Sequence, residues 1–216
     1  MTTTVIFDLD GVLVDSRAVF LSCVNYAFEK LGLPTRPDAE LIPYIGPPFA
    51  YGFGELLGVA HDAPIVDACI DGYRERYKTA SLTETTVAPG IPDALDALDG
   101  RRLAVATSKP LALTEPLLEA MGLRPHFEVV EGPDLAARAE GKTETLGRAL
   151  HALGPTRAVM VGDRSFDIVA AQAHGIPAIG VTWGIGTAGE LHEAGADRII
   201  HEPDELSATA AVLLDD

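Results

Sequence analysis

Short runs of β-forming residues alternate with helix-patterned stretches along most of this chain, and that alternation restricts it to a parallel sheet covered by helices. Residues 4–7, Thr-Val-Ile-Phe, form a first run that ends on Asp8, and residues 102–107, 127–130, 158–161, 178–181 and 198–200 continue the series. Between two of them, Leu146, Ala149, Leu150 and Leu153 recur at helical spacing, which lays one apolar stripe against a sheet. Thr187-Ala-Gly-Glu190 fits a capping box, so a helix is predicted to start there and run towards Gly195. The expected fold class is α/β, with a parallel sheet between two helical layers.

Residues 16–82 interrupt the pattern. Phe20, Val24, Ala27, Phe28 and Leu31 share one helix face, as do Val66, Cys69, Ile70, Tyr73 and Tyr77, and no strand-like run separates them. The uncharged, proline-rich residues 42–49 read as an ordered turn between helices. The predicted organisation is an α/β domain made of residues 1–15 and 83–216, with a helical domain inserted at 16–82. Charge divides the same way. The chain carries 32 Asp plus Glu and 16 Lys plus Arg, a net of −16. Residues 16–82 hold 8 acidic and 6 basic side chains, leaving 24 and 10, or −14, for the α/β body.

That acidity disfavours nucleic acid and anionic membrane surfaces as partners, because it repels phosphates at long range. The start, Met-Thr-Thr-Thr, has neither the basic region nor the apolar stretch of a secretory signal. The uncharged run 168–189 is long enough to span a bilayer, but Gln172, His174, Pro177 and five glycines fit strand and turn better. Cys23 and Cys69 both fall in helical patterns and read as buried thiols. A cytoplasmic protein with no membrane partner is expected, as a monomer or small homo-oligomer. The six histidines are dispersed and offer no zinc pattern.

In open parallel sheets, ligands bind beyond the carboxyl ends of the strands. Asp8-Leu-Asp10-Gly11 follows the first run, Thr107-Ser108-Lys-Pro the second, and Gly162-Asp163-Arg-Ser-Phe-Asp167 the fourth, with Lys142 opening the preceding helix. In extended backbone, Asp8 and Asp10 point into one space. Four clustered carboxylates repel one another unless a cation sits among them, and Mg²⁺ suits hard oxygen ligands and bridges carboxylates to phosphate. With Mg²⁺ and Lys142 present, a phosphate dianion becomes welcome. Asp8 is then a candidate nucleophile at phosphorus and Asp10 a candidate acid and base. Thr107, Ser108 and backbone N–H groups are candidate phosphate donors, with Gly11 as a close turn beside the ligand.

These motifs resemble those of the haloacid dehalogenase-like superfamily, mainly Mg²⁺-dependent phosphatases with an aspartate nucleophile and a Rossmann-like core. The resemblance implies Asp8 as nucleophile, Asp10 as acid/base, Thr107 as the hydroxyl of the second motif and Lys142 as the phosphate-binding lysine. It implies metal ligation by the Asp8 side chain, the Asp10 carbonyl and Asp163, with Asp167 supporting the metal waters or the lysine. The insertion at 16–82 stands where one branch carries its cap, with hinges near 14–17 and 82–88. Tyr44-Ile-Gly-Pro-Pro48 and Thr107–Pro110 look most like phosphoglycolate phosphatase-like proteins.

The implied activity is hydrolysis of a small phosphorylated metabolite, such as phosphoglycolate, a nucleotide or a sugar phosphate. A phosphosugar mutase and a non-catalytic metabolite-binding member are the alternatives. Asp10 stands where dehalogenases have Tyr, and Phe20 where mutases usually have His. Residues 44–53 are the expected substrate-facing loop. Asp15 reads as a helix cap and Arg17, Arg74, Arg76 and Lys78 as solvated surface; Trp183 with residues 184–189 follows a strand end and reads as plain turn chemistry in preference to a contact with the rim of the site.

Overall fold

The computed structural model describes residues 2–136 and 140–215. The chain divides into two compact units, Met1–Asp15 with Val87–Asp216, and Ser16–Thr86. The strands are β1 (Thr3–Phe7), β2 (Val14–Asp15), β3 (Thr86–Val87), β4 (Arg102–Ala106), β5 (Val129–Glu131), β6 (Arg157–Gly162), β7 (Ala178–Val181) and β8 (Arg198–Ile200). Six of them form one parallel sheet in the order β5-β4-β1-β6-β7-β8, while β2 and β3 pair separately. The order reverses beside β1, so its carboxyl end lies at the switch point where open sheets bind ligands.

Among the described residues, six α-helices belong to this α/β unit: α5 (Ile91–Asp96), α6 (Leu111–Ala120), α7 (Lys142–Leu153), α8 (Ser165–Ala173), α9 (Ala188–Glu193) and α10 (Leu206–Leu214). The two-residue period of the strands sorts their side chains into two cores. Val5, Phe7, Val105, Val159, Val161 and Ile179 face Ile91, Leu95, Leu117, Leu118, Leu206 and Leu214 of α5, α6 and α10. Ile6, Ala104, Ala106, Met160 and Ala178 face Leu146, Ala149, Ile168, Ala171 and Leu191 of α7, α8 and α9. The three-layer α/β/α arrangement follows directly, and each fully buried Leu, Ile or Phe contributes about 1.5–3 kcal/mol.

Two expected boundaries shift. The third run of the sheet begins at Val129 rather than 127, because Arg124–His126 closes a 3₁₀ turn. Phe127 then enters the core and meets Phe7 edge-on at 6.1 Å. The uncharged run 168–189 contains the end of α8 as well as β7, and no helix among the described residues is long and apolar enough to cross a membrane.

The helical unit comprises α1 (Arg17–Lys30), α2 (Asp38–Leu41), α3 (Phe49–Leu57) and α4 (Pro64–Glu84). Its core is aromatic: Tyr73 lies 4.5 Å from Phe49, 5.5 Å from Tyr77 and 5.8 Å from Phe20 between ring centroids. Gly72 lets α4 approach Ala27 of α1 closely. The expected loop at 44–53 is a loop only up to Pro48, since Phe49 starts α3 and turns Phe53 into the core. Helix α4 extends to Glu84, which carries the second crossing of the chain past residue 82.

Candidate active site

The sequence-predicted catalytic, phosphate and metal residues lie in the segments that follow β1, β4 and β6 or in the first turns of α7 and α8. Asp8 follows β1 and is held by a backbone hydrogen bond to the Val161 carbonyl, 2.9 Å. The chain then turns sharply: the N–H groups of Val12, Leu13 and Val14 all reach back to the Leu9 carbonyl, and Gly11 donates to Val14. Gly11 has φ +86°, and a methyl there would overlap the Asp163 carboxylate, so this position requires glycine. Thr107 follows β4 and is buried, and its Oγ1 accepts the Lys109 N–H at 3.1 Å. Ser108 is exposed.

Lys142, the first residue of α7, ties the motifs together. Its Nζ stands 2.6 Å from Asp8 Oδ1 and 2.7 Å from Asp167 Oδ1, with its side chain only 5 % exposed. Burial alone would depress this amine, but the charges of Asp167 and Asp8 override it and raise its pKa above the usual lysine value. The amine is therefore a fixed cation. Asp163 follows β6, and its Oδ2 accepts the Ile185 N–H at 2.8 Å. Asp167, in the first turn of α8, accepts the Arg164 N–H through Oδ2 at 3.1 Å.

Carboxylate oxygens of Asp8, Asp163 and Asp167 come within 4.8 Å of one another. When all three are ionised, three negative charges face the single ammonium of Lys142 in a buried site. Burial first, then Asp167 and Asp8, push Asp163 up to about 8. Burial, together with Asp167 and Asp10, pushes Asp8 up to about 6 despite the opposing pull of Lys142. Hard oxygen donors, uncompensated negative charge and raised carboxyl pKa values are the conditions a divalent cation relieves, so the donor set fits one. The Asp10 side chain is not part of this cluster. Its Oδ1 pairs with Lys109 Nζ at 2.6 Å.

The contribution of Lys109 escaped sequence reasoning, and that of the turn after β7 was the less favoured of its two readings. Lys109 sat inside a recognised motif, but a lysine leaving a strand end gives no local sign of its partner 99 residues away. The turn after β7 also belongs to the site. Ile185 supplies the hydrogen bond to Asp163, and a methyl at Gly186 would overlap the Asp163 carbonyl oxygen. Trp183 Nε1 donates to the Val12 carbonyl at 3.1 Å, tying this turn to the one after Asp10. The plain-turn reading of 183–189 is therefore corrected at two positions: at Gly184 and Gly186 the backbone passes so close to Asp163 that a methyl would overlap it.

Residues 5–181 match the family model described as haloacid dehalogenase-like hydrolase. A 5'-nucleotidase of Pseudomonas aeruginosa is 33 % identical, covering 97 % of this chain and 92 % of the relative. A plasmid-borne phosphoglycolate phosphatase of Cupriavidus necator is 35 % identical, covering 98 % and 93 %. The crystal structure of a predicted phosphatase from Clostridium acetobutylicum superposes with a TM-score of 0.91 at 32 % identity, covering 99 % of this chain and all of that one. On its motifs, its fold and these likenesses, the chain belongs to the haloacid dehalogenase-like hydrolase family, as a phosphatase.

Proposed function

We propose that the protein hydrolyses a small phosphomonoester with Mg²⁺ through a phospho-Asp8 intermediate. The observation that carries the reading is the cluster of Asp8, Asp163 and Asp167 around the buried Lys142 ammonium. Its acids fit Mg²⁺, which when bound would supply positive charge to balance them and the substrate dianion. Asp8, Asp163 and the Asp10 carbonyl would hold the ion, and Asp167 would orient Lys142 and the ion's waters.

The chain's own groups account for both half-reactions. An Asp8 carboxylate oxygen attacks phosphorus, the bond from phosphorus to the substrate oxygen breaks, and Asp10 gives its proton to the leaving oxygen. Water then attacks the phosphoryl group on Asp8, Asp10 takes a proton from it, and inorganic phosphate and the free Asp8 carboxylate result. Lys142 and Thr107 face the phosphoryl oxygens, where fixed donors act on charge that develops in transfer. Ser108, exposed beside Thr107, is the supplementary phosphate donor. The helical unit is the proposed cap, which selects the substrate and excludes water.

Substrate choice is left to phosphorylated metabolites of small size; relatives named for phosphoglycolate and for 5'-nucleotides mark two classes to try first. Phosphate release from a panel of such metabolites, with Mg²⁺ and with EDTA, tests the reading. Turnover that needs Mg²⁺ and vanishes in Asp8→Asn supports it. Near-normal turnover in Asp8→Asn sinks the nucleophile assignment, and release of a product isomer instead of free phosphate makes the enzyme a mutase.

A further inference from the structure

Glu190 departs from its local motif. In a capping box, the third helical residue turns its carboxylate back to the N-cap backbone of its own helix. Thr187 does its half, accepting the Glu190 N–H through Oγ1 at 3.1 Å. The Glu190 carboxylate does not reciprocate. Its Oε1 accepts the Ser165 N–H at 2.8 Å and the Arg164 Nε at 3.0 Å, both at the start of α8.

Helix α8 needs this help. Its N-cap residue is Arg164, whose side chain carries donors only and cannot satisfy the free N–H groups of the first turn. The acceptor therefore arrives from α9. The two residues it grips lie between Asp163 and Asp167, and Arg164 also donates its backbone N–H to Asp167. Burial alone would raise the Glu190 carboxyl, but the Ser165 and Arg164 hydrogen bonds hold it below the usual range, so it is a carboxylate at neutral pH.

We infer that Glu190 is a positioning residue for the proposed metal site, fixing the Asp163-Arg164-Ser165 segment so that Asp163 and Asp167 converge before any ion binds. Residues supporting first ligands typically change metal affinity by about 10–100-fold when replaced. The inference rests on the Mg²⁺ reading above and adds to it a residue outside the family motifs quoted for this chain.

Calorimetric titration of the full-length protein with Mg²⁺ alone, without substrate, tests it. Glu190→Gln, which keeps the shape and loses the charge, is expected to weaken Mg²⁺ binding about tenfold. Arg164→Met, which removes the same pair from the other side, should weaken it in the same direction and serves if Glu190→Gln fails to fold. Thr187→Ala loosens α9 without touching α8 and should bind Mg²⁺ within about twofold of the unaltered protein. Unchanged affinity in a folded Glu190→Gln or Arg164→Met variant overturns the inference while leaving the Mg²⁺ reading standing. Equal weakening in Thr187→Ala also overturns it, since general loosening of α9 would then explain the effect. Absence of Mg²⁺ binding by the unaltered protein sinks both.

Discussion

Lys109 Nζ lies 2.6 Å from Asp10 Oδ1, with 9 % of the lysine side chain and 22 % of the aspartate side chain exposed. The proposed acid/base is thus held through Oδ1 by a cation from the neighbouring strand end. Removing the cation in Lys109→Met should let the carboxylate turn away. General acid catalysis contributes about 10²–10⁴-fold, and losing its orientation should cost at least about tenfold in kcat. The loss should be larger for alkyl phosphates, whose leaving oxygen needs a proton, than for p-nitrophenyl phosphate in single-turnover measurements. Lys109→Arg should recover part of it. Equal losses for both leaving groups would show that Lys109 does not act through Asp10.

The raised carboxyl pKa values of the site predict how the metal-free protein responds to pH. Asp163 rises from 3.8 to about 8 and Asp8 from 3.8 to about 6, in both cases chiefly through burial. Between the unfolded and folded values the native state binds more protons, so stability falls as pH rises. For Asp163 that window runs from about pH 4 to about pH 8, with a slope of up to about 1.4 kcal/mol per unit; Asp8 adds to it below about pH 6. In EDTA the thermal midpoint should therefore rise as pH is lowered from 8 towards 5. Mg²⁺ at the proposed site would bind the ionised carboxylates, so its stabilisation should grow over the same range as pH is raised. A midpoint in EDTA that climbs with pH would show that these groups are not buried as described.

Much of this architecture was legible in sequence because two periods carry it. The two-residue period assigns Val5 and Phe7 to one face and Ile6 to the other, and the helical period of Leu146, Ala149 and Leu153 completes the second core. That Asp8, Lys142, Asp163 and Asp167 come together could be read from sequence because each lies at a strand end or helix start, where topology brings distant segments together. What sequence did not reveal are contacts that depend on three-dimensional neighbours. Thr187 and Glu190 spell a capping box, yet the carboxylate finds a stronger pair of donors in Arg164 and Ser165. Gly186 looks like turn chemistry until the Asp163 backbone is placed against it. Phe49–Leu57 contains two glycines that mask its helical character, and packing of Phe53 against Phe28 at 6.0 Å outweighs their poor propensity.

Lys142 should be as important to folding as to transfer. It is the ammonium between Asp8 and Asp167, with side-chain exposures of 5 %, 13 % and 3 % respectively. Lys142→Met leaves buried carboxylates without their cation, and breaking a buried pair from one side costs about 3–5 kcal/mol. The variant should unfold at much lower denaturant in EDTA. Adding Asp167→Asn removes one stranded charge and should recover part of the loss, although neither protein should turn over substrate. Additive destabilisation in the double variant would show that the two residues are not energetically coupled.

The helical unit offers a test of whether it unfolds by itself. Tyr73 is 3 % exposed and lies between Phe20, Phe49 and Tyr77 on α1, α3 and α4. Replacing a buried aromatic with alanine costs about 3–5 kcal/mol, a large share of what a unit of this size can supply. Because Ser16–Thr86 forms a compact unit with its own aromatic core, that loss should stay local. In Tyr73→Ala, amide exchange should accelerate through α1, α3 and α4 while β1, β4 and β6 keep their protection. Mg²⁺ binding should persist, because the residues proposed to hold the ion belong to the α/β unit. Uniform acceleration across both units would show a single cooperative fold, and the proposed cap would then have no independent opening of its own.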